Sequence, residues 1–264
     1  MIKKTIVTGM VALMSLAAMA LPAKRGLTNV ITLNDGTKVE VSLVGDEFMH
    51  YWQDANGNKY VPTGEANVFK LADASAVSNL TTRALARKAK AHARRAARRN
   101  LSNATDVFQG KKKGLVILVE FTDVKFKNSD SQTLFNRIAN EAGYNEGYFQ
   151  GSVKDYFLAQ SRGQFELDFD VVGPVKLSHN MKYYGGNDEN GYDLHPEEMI
   201  VEACKGIDSK VDFSKYDWDG DGEVDQVYVI YAGYGEADTG KENTIWPHKY
   251  QLSGASMALT LDGV

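Results

Sequence analysis

The pattern of apolar and polar positions divides the chain into three stretches with different grammars. Between residues 27 and 72 the alternation is strand-like. "NVITLNDGTKVEVSLV" (29–44) alternates around Asp35-Gly36, and "FMHYWQDANGNKYV" (48–61) alternates around Asn56-Gly57, both hairpin turn signals. "NVFKLA" adds a short further strand, so this stretch predicts a small β-module. From residue 113 the grammar is α/β. "GLVILVEF" is a near-continuous apolar run, as a strand buried on both faces requires. "SDSQTLFNRIANEAG" predicts an amphipathic helix ending at Gly143, and "GSVKDYFLAQSRGQ" a second one, opened by Ser152 with Asp155 three residues on. "FELDFDVVG" alternates as a strand. "HPEEMIVEACKGI" predicts a third helix, with Pro196 in its first turn and two acids behind it. "QVYVIYAG" reads as another buried strand, and "SMALTLDGV" as a strand entering an Asp262-Gly263 turn whose partner strand is missing. On that pattern the sequence is expected to be a piece of a longer protein.

Between these stretches lies "RALARKAKAHARRAARR" (83–99), rich in Lys and Arg, spaced by alanine and without acids. Helix propensity is high and there is little to bury, which predicts a solvated linker helix. No aromatic platform or reading element adjoins it, and the formal net charge of the chain is -4, so nucleic acid is not the expected partner. At the N-terminus Lys3 and Lys4 precede the apolar run "TIVTGMVALMSLAAMA", which closes on Ala18-Met19-Ala20. That order is a secretory signal, expected to be cut near Ala20, and the run is too short and broken to anchor in a bilayer. The expected location is secreted, extracellular or periplasmic, with no stable membrane span once the signal is removed. Cys204 is the single cysteine; with Met199, Ile200, Ala203 and Ile207 it shares one helical face, so it is assigned to the core.

The densest chemistry is "DWDGDGEVD" (217–225). Asp217, Asp219 and Asp221 alternate, Gly222 takes the sixth position of the loop and Asp225 the ninth. This spacing matches the first nine positions of an EF-hand-like calcium loop, in which alternate carboxylates turn inward and glycine permits the sharp bend. Glu223 at the seventh position is expected to give its backbone carbonyl. Tyr228 stands where a bidentate glutamate closes an EF-hand and a strand replaces the second helix, so the expectation is a structural calcium loop and not an EF-hand. Magnesium suits it less, because it prefers a rigid octahedral shell rich in water. His50, His92, His179, His195 and His248 include no i, i+4 pair that a helix could present to zinc. His195 reads as a surface residue at a helix start, and His248, in a glycine-flanked loop beside Trp246, as either a cleft-lining residue or, more commonly for a lone loop histidine, a surface one. No G-x-S-x-G, Walker or dinucleotide fingerprint occurs.

"PAKRG", "LNDGTKVEVSLVGDEFMHYW", "GKKKGLVILVEFTDVKF", "GSVKDYFLAQSRGQFELDFDVVGPV", "YYGGND", "YDWDGDGEVDQVYVIYAGYGEA" and "NTIWPH" together resemble secreted bacterial zinc metalloproteases of the immune inhibitor A type, the M-six peptidase family. The resemblance implies a zymogen: signal peptide 1–20, β-rich prodomain 21–80, basic Ala/Arg-rich helical linker 81–105, and the N-terminal part of a metallopeptidase domain over 106–264. The implied class is α/β (α+β), with a zincin-like lobe built on a twisted mixed sheet with flanking helices. The implied activity is peptide-bond hydrolysis by metal-activated water on protein or peptide substrates. The family's zinc helix carries H-E-x-x-H, and no such motif occurs in this sequence, so zinc ligands and catalytic glutamate are assigned to no residue here and the 264 residues alone are expected to be inactive. The alternative is a non-catalytic extracellular calcium-binding module.

Overall fold

A computed structural model of the chain describes residues 22–65, 67–101 and 107–264, the side chains of 94–101 excepted. Residues 1–20, expected to be a signal, and 102–105, expected to end the linker, lie outside the described residues.

Five short strands form the first unit: β1 (Thr28–Leu33), β2 (Lys38–Asp46), β3 (Met49–Gln53), β4 (Lys59–Pro62) and β5 (Val68–Leu71). Neighbours pair antiparallel, and β5 returns to pair parallel with β1 through Thr32↔Val68 and Leu33↔Phe69, closing a barrel. Closure removes the sheet edges. Both hairpins form at the turns read from sequence. Asp35 Oδ1 accepts from Thr37 N at the first. At the second, Asp54 Oδ1 accepts from Asn56 N and Asn58 N, each at 2.9 Å, while Oδ2 takes Asn58 Nδ2 and the Tyr60 hydroxyl. Ile31, Val41, Leu43, Trp52, Tyr60 and Phe69 fill the interior.

The basic helix α1 (Ala74–Leu101) starts before the Ala/Arg-rich run, where Asp73 Oδ1 accepts from Ala76 N at 2.7 Å and caps it. Its first half is not the solvated linker expected from composition. Ala84 is buried, Lys88 pairs with Asp46 at 2.9 Å, and the Arg87 guanidinium lies 3.7 Å from the Tyr192 ring centroid. Arg83 also reaches Asn190. Long basic side chains pack through their stems, which a count of large apolar residues does not register.

The second unit is a three-stranded sheet in the order β7-β6-β8, from β6 (Gly110–Glu120), β7 (Phe165–Lys176) and β8 (Val227–Tyr231). Both pairings are parallel, so among the described residues the sheet is parallel where a mixed one was expected. Between β6 and β7 run α2 (Ser131–Asn140) and α3 (Val153–Gln160); between β7 and β8 run α4 (Met181–Gly185) and α5 (Pro196–Ile207). Alternate β6 residues serve opposite layers. Leu115, Ile117 and Val119 pack with Tyr184, Met199, Ala203, Cys204 and Ile207, while Val116 and Leu118 pack with Ala139, Phe165, Leu167 and Phe169. This is why "GLVILVEF" is apolar throughout. The capping box at α3 is present, with Ser152 Oγ accepting from Asp155 N and Asp155 Oδ2 from Ser152 N. Cys204 is buried among these side chains, and burial pushes its thiol up to about 12, away from nucleophile chemistry. β8 pairs only with β6 among the described residues and is half-buried along its length, not buried on both faces.

The C-terminal expectation fails. Residues 256–264 form no strand; Leu261 and Val264 exchange backbone hydrogen bonds around the Asp262-Gly263 turn, and Asp262 Oδ2 accepts from Phe213 N at 2.8 Å. Leu259, Leu261 and Val264 pack on the core beside α5, so this segment is tied down by side chains and not left as an unpaired edge.

Candidate functional site

Two clusters of polar side chains stand out. The first is the acidic loop, which leaves the 3-10 turn Phe213–Tyr216 and enters β8. Its ends are anchored: Trp218 Nε1 donates to Lys113 O at 2.7 Å, Lys112 Nζ donates to Trp218 O at 3.0 Å, and Asp225 N donates to Tyr216 O at 2.9 Å. Asp217 organises the bend. Its Oδ1 accepts from Gly220 N and Asp221 N and its Oδ2 from Gly222 N, with Gly222 at φ +84°, a conformation that favours glycine. Asp225 Oδ2 accepts from Trp218 N at 2.5 Å and crosses the loop.

The result brings one carboxylate oxygen each of Asp217, Asp219 and Asp225 within 4.8 Å of one another. The Asp221 carboxylate stands outside that group, its Oδ1 accepting from Glu223 N, and the Glu223 carbonyl expected as a ligand is not one of these carboxylate oxygens. Each like-charge pair at such a separation costs about 1 kcal/mol in water and about 3 kcal/mol at the effective dielectric near a protein surface. Asp219 Oδ1 is buried with no hydrogen-bond partner. Three converging hard oxygen donors, one of them unsatisfied, suit calcium chemistry rather than zinc, which favours nitrogen and sulfur.

The second cluster was not legible in the sequence and lies where the barrel and α1 meet the sheet unit. Trp246 and Ala237, from the segment after β8, complete the barrel's own apolar core. Ala237 belongs to the short helix α6 (Glu236–Thr239), closed by Gly240 at φ +64°, where a Cβ would stand 2.5 Å from the Trp52 ring. His50 of β3 stacks on Trp246, with centroids 4.2 Å apart and planes at 14°. The His50 Nε2 lies 3.7 Å from Glu236 Oε1, which accepts from Asn187 Nδ2 at 2.9 Å. Asp193 accepts from Trp246 N through both oxygens, at 3.1 and 3.3 Å, and lies 3.8 Å from His248 Nδ1. Desolvation sets the protonation here: it pushes Glu236 up to about 9 and Asp193 up to about 8, and holds His50 down to about 4.

The remaining histidines do not converge on a metal. His195 is the N-cap residue of α5, stacks on Tyr183 and pairs with Glu198, and His179 also stacks on Tyr183 and meets Tyr184 edge-on. His248 Nδ1 donates to Trp246 O at 2.7 Å, and burial holds the ring below its usual range; of the two readings of His248, cleft-lining and surface, the structure places it in the second cluster. Among the described residues, the aspartate trio is the one group of three or more His, Cys, Asp or Glu side chains able to hold a metal ion.

Residues 102–262 match the family described as immune inhibitor A peptidase M6, catalytic domain. That span contains the acidic loop and the whole sheet unit and leaves the barrel outside. Immune inhibitor A of Bacillus thuringiensis subsp. alesti is 28% identical over 184 residues, 56% of this chain and 27% of the relative, so the chain spans about a quarter of that protein's length.

Proposed function

The chain belongs to the immune inhibitor A peptidase M6 family, and from that membership we propose that it forms the N-terminal part of a secreted, zinc-dependent metallopeptidase acting on proteins or peptides. The observation that carries this reading is the match over 102–262, which coincides with the α/β unit. In the same reading the barrel and the first half of α1 are a prodomain. They lie outside the matched catalytic span, and they cover Trp246, Ala237 and Glu236, which lie within it. Residues 1–20 direct export. The aspartate loop binds one structural calcium ion through Asp217, Asp219 and Asp225.

The zinc of this reading does not fit the residues present. The converging donors are three carboxylates, no histidine joins them, and a catalytic zinc takes three protein ligands that usually include histidine. No catalytic step is therefore assigned to any side chain of this sequence. A second reading, a non-catalytic extracellular calcium-binding module, is favoured by the aspartate trio alone.

Both readings expect the same of the isolated 264-residue protein. It should retain no stoichiometric zinc after dialysis and cleave no casein. Elemental analysis together with a casein assay checks this; stoichiometric zinc with cleavage would place the catalytic centre inside these residues and overturn the assignment.

A further inference from the structure

Buried polar atoms without hydrogen-bond partners gather at the joint between the barrel and the sheet unit, among them His50 Nε2, Glu236 Oε2, Asn187 Oδ1 and Arg87 Nη1. The side chains of His50 and Glu236 are 9% and 3% exposed. Glu236 Oε1 accepts from Asn187 Nδ2, but Oε2 has no donor and His50 Nε2 stands 3.7 Å from Oε1 with no partner of its own, so a proton held in the pair would satisfy a buried atom. Burying the pair with a net negative charge is costly, and burying it with one proton is not. We propose that the barrel docks on the sheet unit as a proton-coupled cap, taking up one proton into the Glu236–His50 pair when the joint closes. This inference rests on the joint's geometry and stands independently of the peptidase reading.

The proton count does not depend on which partner holds the proton, since a neutral carboxyl beside a neutral imidazole and a carboxylate beside an imidazolium each carry one. With the joint open, the two groups titrate at their ordinary values of 4.5 and 6.5, so above the latter the pair is nearly proton-free. With the joint closed, the carboxyl holds its proton up to about 9. A group raised in the closed state stabilises closure at low pH and loses that contribution as pH rises through the raised value. Closure therefore weakens between about 6.5 and 9, is level between 4.5 and 6.5, and weakens again in stronger acid, where His50 resists a second proton.

Other charged groups face the pair from every side. Asp46 of β2, beside His50, is paired with Lys88 of α1. Arg87 of α1 lies toward Asp193 and His248. Glu242 and Asp193 face Glu236, and Asp238 and the Tyr231 hydroxyl lie nearby. Asp193 and Glu242 are both raised by burial and add to the effect with the same sign; His248, held low, opposes closure only in acid.

The backbone bond from Lys24 N to Ala237 O, 2.8 Å across the joint, reports its opening. Hydrogen exchange at Lys24 in the full chain, corrected for the intrinsic pH dependence, should show the opening constant rising between pH 6.5 and 9 by about tenfold per pH unit from the Glu236–His50 pair, and more steeply where Asp193 and Glu242 titrate with it. Glu236→Gln keeps the shape and replaces the carboxyl O–H with a permanent donor. It should lower that slope by one proton and leave only what Asp193 and Glu242 contribute, which Glu236→Gln with Asp193→Asn reduces further. A pH-independent opening constant in the wild type, measurable whether or not any variant folds, overturns the proposal. So does an unchanged slope in Glu236→Gln.

Discussion

Replacing Trp246 with alanine should destabilise the protein by about 3–5 kcal/mol, the range for truncating a buried aromatic side chain. Trp246 is 3% exposed and contributes to the core of a barrel whose strands lie at the other end of the sequence. Its loss also unstacks His50 and removes the packing that holds Ala237 and Gly240 against Trp52. The melting temperature should fall by roughly 10 °C, given about 2–4 °C per kcal/mol for a chain of this size. Trp246→Phe, which keeps an aromatic surface, should cost less than half as much. Differential scanning calorimetry of the three proteins decides it. Equal melting of wild type and Trp246→Ala would mean that the barrel does not depend on this docking.

The second large effect concerns the acidic loop, and its sign depends on calcium. Sites of extracellular modules bind calcium with dissociation constants of about 0.1–1 mM. At about 10 mM calcium, binding to the folded state alone should then stabilise the wild type by about 1.4–2.7 kcal/mol. Asp219→Ala removes the carboxylate whose Oδ1 has no partner, so it breaks no loop hydrogen bond through that atom while relieving like-charge repulsion. Without calcium the variant should be as stable as the wild type or slightly more so; with calcium it should lose the added stability. Paired thermal melts with calcium or a chelator measure both. A wild type whose melting ignores calcium contradicts the assignment, as does a variant that responds equally.

Much of the architecture was legible because it follows from local pattern. The apolar run at 114–121 had to be a central strand, since every side chain of it needs a buried face, and the structure gives it a layer on each side. Ser152 and Asp155 fixed the start of α3 through backbone bonds only three residues away. In the acidic loop, alternation marked Asp217 and Asp219, whose carboxylates the fold brings together with that of Asp225. It gave no warning that the Asp221 carboxylate would accept from Glu223 N, because that depends on the Asp217 bend.

What escaped the sequence depends on distant partners. Nothing around His50 marks it as the stacking partner of Trp246, and Asp193 and Glu236 carry no motif. Their roles arise only when β3, α1 and α6 meet. The glycine run "GYGEADTG" was the one trace of that contact, since Gly240 is needed where Trp52 approaches. The C-terminal segment misled for a related reason. Its Asp-Gly turn is real, but side-chain packing and the Asp262–Phe213 bond hold it where a strand ladder was expected.

The central claim, membership in a peptidase family carried through to activity, is tested most directly by expressing the complete coding region that contains residues 1–264 and assaying the purified product on casein. The account predicts cleavage that a zinc chelator abolishes and added zinc restores. A product with no cleavage, or with cleavage indifferent to the chelator, would contradict it.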